Sequence, residues 1–510
     1  MGVFQYSSQL IELSPYTVVL VVAVLPAVLI LVRQLLYPTV DPREPPVLRP
    51  KIPFLGHAIS IARDAGGYYA RLYREYRMPI CTLPVLTGKI YVINSPALIS
   101  AAMRSKALSF YPFIQLVSPN AVGMSEVEKA KLKDPAYIPT ATEPIHGSLM
   151  GEPLRELAGA GLKRIAVDLN SIRSEDITNG LGWLRDVMSQ AVMAAIYGEK
   201  NPMTPEVHRH IWEYDKKVAI LALGIAPKLL ARKALAARSL LQKALRDFYV
   251  AGLDQGSDVS AFVKDRAAVK RKMGVSDVDM AATEFDIPWV SVTNTIPSLV
   301  WLFLNIFSRP DYVERLRSEV LEVTTVTGGS ATIDAPKFEK KTFMNACFQE
   351  IQRRYNDVGG NRQVMEDTVL RDVDGREYLL KKGTNVQWYS GVPQLNGDIW
   401  GDDAEAFNPE RFVETPPDVE KKRRGALIPF GGGKHLCPGR MFAVTEISAM
   451  VGALALAFDI EGAKLPPVIQ GARPGTSMRR LGWDKGEEPR IKIKRRKGWE
   501  NVELRFTVSG

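Results

Sequence analysis

Hydrophobic positions cluster most densely near the start of the chain, where no charged residue stands between Glu12 and Arg33 and the run YTVVLVVAVLPAVLIL is long enough to cross a bilayer as a helix. No basic stretch precedes the run and no small-residue cleavage site closes it, so residues 1–36 are predicted to be a retained transmembrane anchor rather than a removed signal. Arg33, Arg43, Arg49 and Lys51 follow the run while no Lys or Arg precedes it, which puts the rest of the chain on the cytosolic side. Pro38, Pro42, Pro45, Pro46, Pro50 and Pro53 then deny a helix, so residues 37–53 are expected to form a stiff spacer. From residue 54 to 510 there is no second linker and no repeat, which predicts a single large domain.

Helical patterns dominate that domain and a smaller β portion accompanies them. Two short apolar runs flank Thr87 and Gly88 within residues 80–93, a hairpin signal, and residues 368–389 repeat it around Asp374-Gly375. Amphipathic periodicity predicts helices over 181–197, 211–223 and 229–250. Residues 285–307 are almost wholly apolar but contain Pro288 and Pro297, so the expectation is a helix with local breaks. Its length would allow a second membrane span. Ser291, Thr293, Asn294 and Thr295 at its centre argue instead for a buried core helix, because buried polar groups need a partner or a ligand. That centre is therefore a candidate site wall.

Composition narrows the chemistry. The net charge of +10 favours acidic partners or anionic membrane surfaces, and no nucleic-acid module accompanies it. Three widely spaced cysteines, Cys81, Cys347 and Cys437, argue against a disulfide framework and for a reducing compartment. None of the five histidines sits in a zinc motif, so a bound metal would take few ligands from the protein.

One motif carries specific chemistry: FGGGKHLCPGR, residues 430–440, followed by a helical pattern. Glycines allow the backbone to approach a flat macrocycle, and a cysteine at a helix N-terminus is favoured as thiolate, the axial ligand of one haem class. Phe430, Gly433, Cys437 and Gly439 match the cysteine loop that this sequence resembles, that of the cytochrome P450 superfamily. The resemblance extends to FQEIQRRY, with Glu350 and Arg353, and FNPERF, with Arg411, which in that family form a buried ion network holding the cysteine loop. It also implies that Arg362 in GGNRQ reaches a haem propionate, and that His435 stands where most members have an arginine for the same purpose. In detail the sequence is similar to the sterol 7-hydroxylase and prostacyclin synthase-like branch, through Asn294-Thr295-Ile296-Pro297, GNRQ, CPGR and Pro466-Pro467, and it resembles microsomal members of fungal type.

The resemblance implies a mostly α P450 fold with haem b bound by Cys437. It further implies O₂ activation with electrons from NADPH through the flavins of NADPH-cytochrome P450 reductase, with cytochrome b5 as an accessory donor. Lys434 and Arg440 are candidates for the basic docking face. The expected setting is a single-pass protein of the endoplasmic reticulum membrane facing the cytosol. The expected substrate is a lipophilic sterol, terpenoid or polyketide of secondary metabolism, contacted by residues 111–122 and the surroundings of Leu221.

One departure divides two functions. Most members carry an acid and an alcohol in the central helix that relay protons during oxygen activation; here Thr295 keeps the alcohol and Asn294 replaces the acid, which leaves water held by Asn294 as the relay. Sterol-hydroxylating relatives share the Asn-Thr pair, which favours a monooxygenase. The prostacyclin synthase relatives also have Asn there, so a redox-neutral isomerase or cyclase needing no reductase is the alternative.

Overall fold

In the computed structural model, residues 24, 26–28, 40–50, 56–85, 88–172, 177, 179–472, 477–483 and 488–509 are described. The predicted anchor, residues 1–36, lies outside the described residues except at four positions.

The run 285–307 forms the spine of the protein. It is the C-terminal part of a kinked helix, Asp277–Phe307, that breaks twice: Asp277–Glu284, Asp286–Thr293 and Thr295–Phe307 are its three segments. Each break falls three residues before a proline. Pro288 and Pro297 cannot donate to the carbonyls of Glu284 and Thr293, so the helical ladder is interrupted at Phe285 and Asn294. In the last segment Trp301, Phe303, Leu304 and Ile306 are fully buried or nearly so. Burial of each such side chain stabilises by roughly 1.5–3 kcal/mol, which assigns this stretch to the protein core. Trp301 stacks on Tyr355 with ring centroids 3.9 Å apart and donates to the Arg479 carbonyl. Around the spine pack the helices Gly180–Tyr197, Thr342–Tyr355 and Arg440–Ala457. Two helices, Asp277–Phe307 and Arg440–Ala457, are apolar and long enough to cross a membrane, and both are mostly buried inside the protein.

Beside this helical body lies a five-stranded sheet in the order Ile80–Val85, Gly88–Ile93, Asn385–Tyr389, Gly359–Val364, Leu108–Ser109. Both predicted hairpins are present, Ile80–Val85 with Gly88–Ile93 and Thr368–Arg371 with Glu377–Leu380, the latter turning at Gly375 with φ +83°. Asn385–Tyr389, expected to continue the second hairpin, instead joins the larger sheet parallel to Gly88–Ile93.

The helix 181–197 is observed as Gly180–Tyr197. The other two amphipathic runs are subdivided, 211–223 into His210–Asp215 and Val218–Leu223, and 229–250 at Ala231. The spacer expectation for 37–53 needs correction over its described part. Backbone N–H groups of Thr82 and Leu48 pair with the carbonyls of Pro46 and Thr82, while buried Glu44 meets Lys89 and Tyr91, so residues 44–48 are docked on the sheet rather than spanning solvent.

Candidate functional site

The kinked helix and the cysteine loop face each other across a cavity of about 470 Å³. The loop is closed by the Cys437 N–H, which donates to the Phe430 carbonyl at 2.9 Å. Gly433 has φ +60°, and a Cβ there would lie 2.3 Å from the Met103 carbonyl oxygen. Glycine is thus required where the loop packs on the helix Pro96–Arg104, a protein contact not expected from the sequence.

Cys437 is half-buried and lies two residues before Gly439, the N-cap of the helix Arg440–Ala457. Burial pushes its thiol up; the backbone N–H groups of Gly439 and Arg440 and the Arg440 charge act in the opposite direction by favouring thiolate. The Arg440 guanidinium donates back to the Cys437 carbonyl at 3.0 Å, and the half-buried residue lines the cavity. Lys434 is exposed, with its ammonium 5.3 Å from the Tyr111 ring centre.

Arg362 lies on the strand Gly359–Val364 and enters the same cavity between the rings of Phe110 and Trp388. Its guanidinium donates to the neighbouring Asn361 carbonyl, and burial pushes it down to about 10. His435 also lines the cavity, edge-on to Phe110 and Tyr111. Its buried Nε2 has no hydrogen-bond partner, and burial, then Arg362, then Lys434 push the imidazole down to about 4. A buried guanidinium and an unpartnered imidazole nitrogen thus converge where no carboxylate of the described residues answers them.

Asn294, Thr295 and Ser298 form part of the helical wall. The Asn294 side-chain carbonyl accepts hydrogen bonds from both the N–H and the hydroxyl of Ser477. The pair Asn294-Thr295 is therefore brought to the cavity as expected, and the Asn294 oxygen is bonded to a protein partner.

Glu350, Arg353 and Arg411 do meet. Glu350 and Arg353 are fully buried and form a two-pronged pair at 2.7 Å and 2.7 Å, with Arg411 Nε 3.5 Å from Glu350. Arg353 also donates to the carbonyls of Gln394, Ala404 and Ala406, and Arg411 to those of Trp400 and Asp403. The network therefore grips residues 394–408 directly and reaches the cysteine loop through Gln394, whose Oε1 accepts from the Ile428 N–H.

A family model described as Cytochrome P450 matches residues 173–476. A cytochrome P450 monooxygenase of Gibberella zeae is 34% identical over 501 residues, covering 95% of each chain. The chain belongs to the cytochrome P450 family. A 25-hydroxycholesterol 7-alpha-hydroxylase of Rattus norvegicus is 24% identical, over 74% of this chain and 92% of its own, in agreement with the branch that the motifs resemble. The solved structure of retinoic acid bound cyanobacterial CYP120A1 shares the fold, with a TM-score of 0.65 at 19% identity over 89% of this chain and 99% of that one.

This P450 is accordingly an oxidoreductase of the monooxygenase type, and the family implies a haem cofactor. The residues present fit that group: a cysteine with N–H support lies in one cavity with buried cationic and N–H donors that lack acids, as a porphyrin with two propionates requires. Residues 111–122 and Leu221 are not among the residues lining the cavity, and Leu221 is buried in the core; Ile145, Leu149, Leu157, Ile196 and Phe262 contribute to the lining. Sequence reasoning also missed Arg266, Asp286 and Ser477, which line the cavity. Spacing offered one signal: Asp286, Val290 and Asn294 recur every four residues and share a helix face.

Proposed function

We propose that this P450 is a haem-thiolate monooxygenase that oxidises a lipophilic sterol, terpenoid or polyketide of secondary metabolism. Cys437 would be the axial ligand, and Arg362 and His435 would bind the propionates, with Phe430, Gly433 and Gly439 shaping the loop. Haem iron, when bound, supplies the activation of O₂. The protein's part is to hold Cys437 as thiolate through the Gly439 and Arg440 N–H groups, to keep the cavity largely apolar, and to offer the Thr295 hydroxyl as a proton donor. The observation that carries the reading is the convergence of Cys437, the acid-free Arg362 and His435, and Thr295 on one cavity.

Electrons would come from NADPH through the flavins of the reductase, with cytochrome b5 as an accessory donor and Lys434 on the docking face. The chain would be seated on the endoplasmic reticulum by residues 1–36. A second membrane contact is supported by exposed Leu223, Ile225, Leu229 and Leu230, of which Leu229 is 81% exposed. The absence of an acid at position 294 favours the second reading, a redox-neutral isomerase or cyclase. Turnover of a substrate identified by feeding candidate lipophiles to expressing cells, with and without NADPH, reductase and O₂, separates the two. Strict dependence on all three, with labelled oxygen in the product, is the outcome expected; full turnover without them overturns the monooxygenase reading.

A further inference from the structure

The acidic and basic side chains lining the cavity fall into two groups. Arg362, His435 and Arg440 belong to the cysteine loop and the strand beside it, and are accounted for by the haem reading. Arg266 and Asp286 are not. They stand on the helices Ala261–Lys272 and Asp286–Thr293, and from Asp286 to Thr295 the helix rises by about 13 Å.

The two residues have different surroundings. Arg266 is buried and committed to Glu284 by two hydrogen bonds of 3.0 Å each, and Lys270 meets the same carboxylate at 2.6 Å. The ion cluster is thus organised around Glu284. Asp286 holds Arg266 only at its longest contact, 3.3 Å, and takes a backbone N–H from Ile287. It is enclosed by protein, yet 44% of its side-chain surface is open, and the cavity is what it opens on. A carboxylate offers about four acceptor positions, so part of this capacity points at a largely apolar cavity. An acceptor in such a place requires a donor, because leaving it unmet carries the desolvation penalty of the group. Burial and Glu284 push the Asp286 acid up while Arg266 pulls it down; a donor brought by a ligand would offset the burial cost.

We infer that Asp286 determines specificity by accepting a hydrogen bond from a hydroxyl on an otherwise apolar substrate, at a point remote from the reacting carbon. The inference rests on the monooxygenase reading only in taking the cavity as the substrate site. An apolar body matches the walls formed by Ile287, Val290 and Phe262, and one hydroxyl matches Asp286. A site built to bond a hydroxyl rejects the analogue lacking the donor far more strongly than apolar packing alone can.

Two matched pairs of probes test it on purified haem-loaded full-length protein: geranylgeraniol with its methyl ether, and cholesterol with its methyl ether. Dissociation constants are read from ligand-induced changes in the haem spectrum and, independently, by calorimetry. At least one alcohol is expected to bind about tenfold more tightly than its ether. In Asp286→Leu the ratio should fall below twofold, and in Asp286→Asn, which keeps an acceptor, most of it should remain. Equal binding of alcohol and ether, an unchanged ratio in Asp286→Leu, or failure of both alcohols to bind overturns the inference. Each variant is first checked for an intact carbon monoxide spectrum. Absence of that spectrum in the unmodified protein would instead overturn the haem-thiolate reading, so the two failures are distinguishable.

Discussion

The side-chain oxygen of Asn294 accepts two hydrogen bonds from Ser477, one from its N–H and one from its hydroxyl, each 2.8 Å long. The contact ties the proline-induced break of the central helix to the C-terminal segment on another wall of the cavity. An asparagine is suited to that position because its amide accepts without bringing a charge into a buried site. The Asn294 oxygen therefore has a positional role in this contact.

Replacing Asn294 with Leu should remove both bonds and leave the Ser477 N–H unsatisfied, at a cost of about 1–3 kcal/mol. Thermal unfolding of the haem-loaded variant should begin several degrees lower, whereas Asn294→Asp, which keeps both acceptors, should stay closer to the unmodified protein. Equal melting of all three would remove the structural role assigned to this contact.

Arg353 should be among the least replaceable side chains. Arg353→Met would leave Glu350 charged and buried and would strip donors from the carbonyls of Gln394, Ala404 and Ala406. Breaking a buried pair by removing one partner costs about 3–5 kcal/mol. The expected outcome is loss of soluble haem-loaded protein, measured as the ratio of haem to protein absorbance, with the exposed pair variant Lys243→Met as an unaffected reference.

A pH dependence follows from Glu128, which burial pushes up to about 7 against a favourable Lys270 charge and a hydrogen bond from Thr283. The folded protein therefore binds more protons at this site than the unfolded chain between the ordinary value of 4.5 and about 7. Stability contributed here is greatest at low pH and falls as pH rises through that window, by about 3 kcal/mol in total. Glu128→Gln should thus gain stability relative to the unmodified protein at pH 8 and much less at pH 5, as read by denaturant unfolding at the two values. A difference that does not vary with pH would show that the carboxyl is ionised throughout.

Much of the site could be read in the sequence because its chemistry is local. The Cys437 loop, the three-residue spacing of Glu350 and Arg353, and the prolines that break the central helix are each written within a dozen residues. What escaped depends on long-range packing. Ser477 reaches Asn294 from the far end of the chain, and Arg266 and Asp286 meet across two helices. The lining by Ile145, Leu149, Leu157 and Ile196 was likewise not legible, because it depends on how distant helices pack around the cavity. The role of Gly433 was also hidden, since nothing in FGGGKHLCPGR announces the carbonyl of Met103 against which it packs.

The N-terminal boundary can be set by truncation. Removing residues 1–36 should release much of the protein from membranes with haem binding intact, whereas removal through residue 53 should also lower stability, because Glu44, Pro46 and Leu48 are bonded to the sheet. Sedimentation with bilayers and thermal unfolding of the two forms measure these effects; equal stability of both would mean that the docked segment contributes nothing.

The central claim is that Cys437 is the haem ligand, and the carbon monoxide difference spectrum of the reduced protein tests it most directly. The unmodified protein, Cys81→Ser and Cys347→Ser should all give the red-shifted Soret band of thiolate ligation, since Cys81 and Cys347 are buried elsewhere in the core and do not line the cavity. Cys437→Ala should lack that band. Its persistence in Cys437→Ala, or its loss in either serine variant that remains folded, would contradict the assignment.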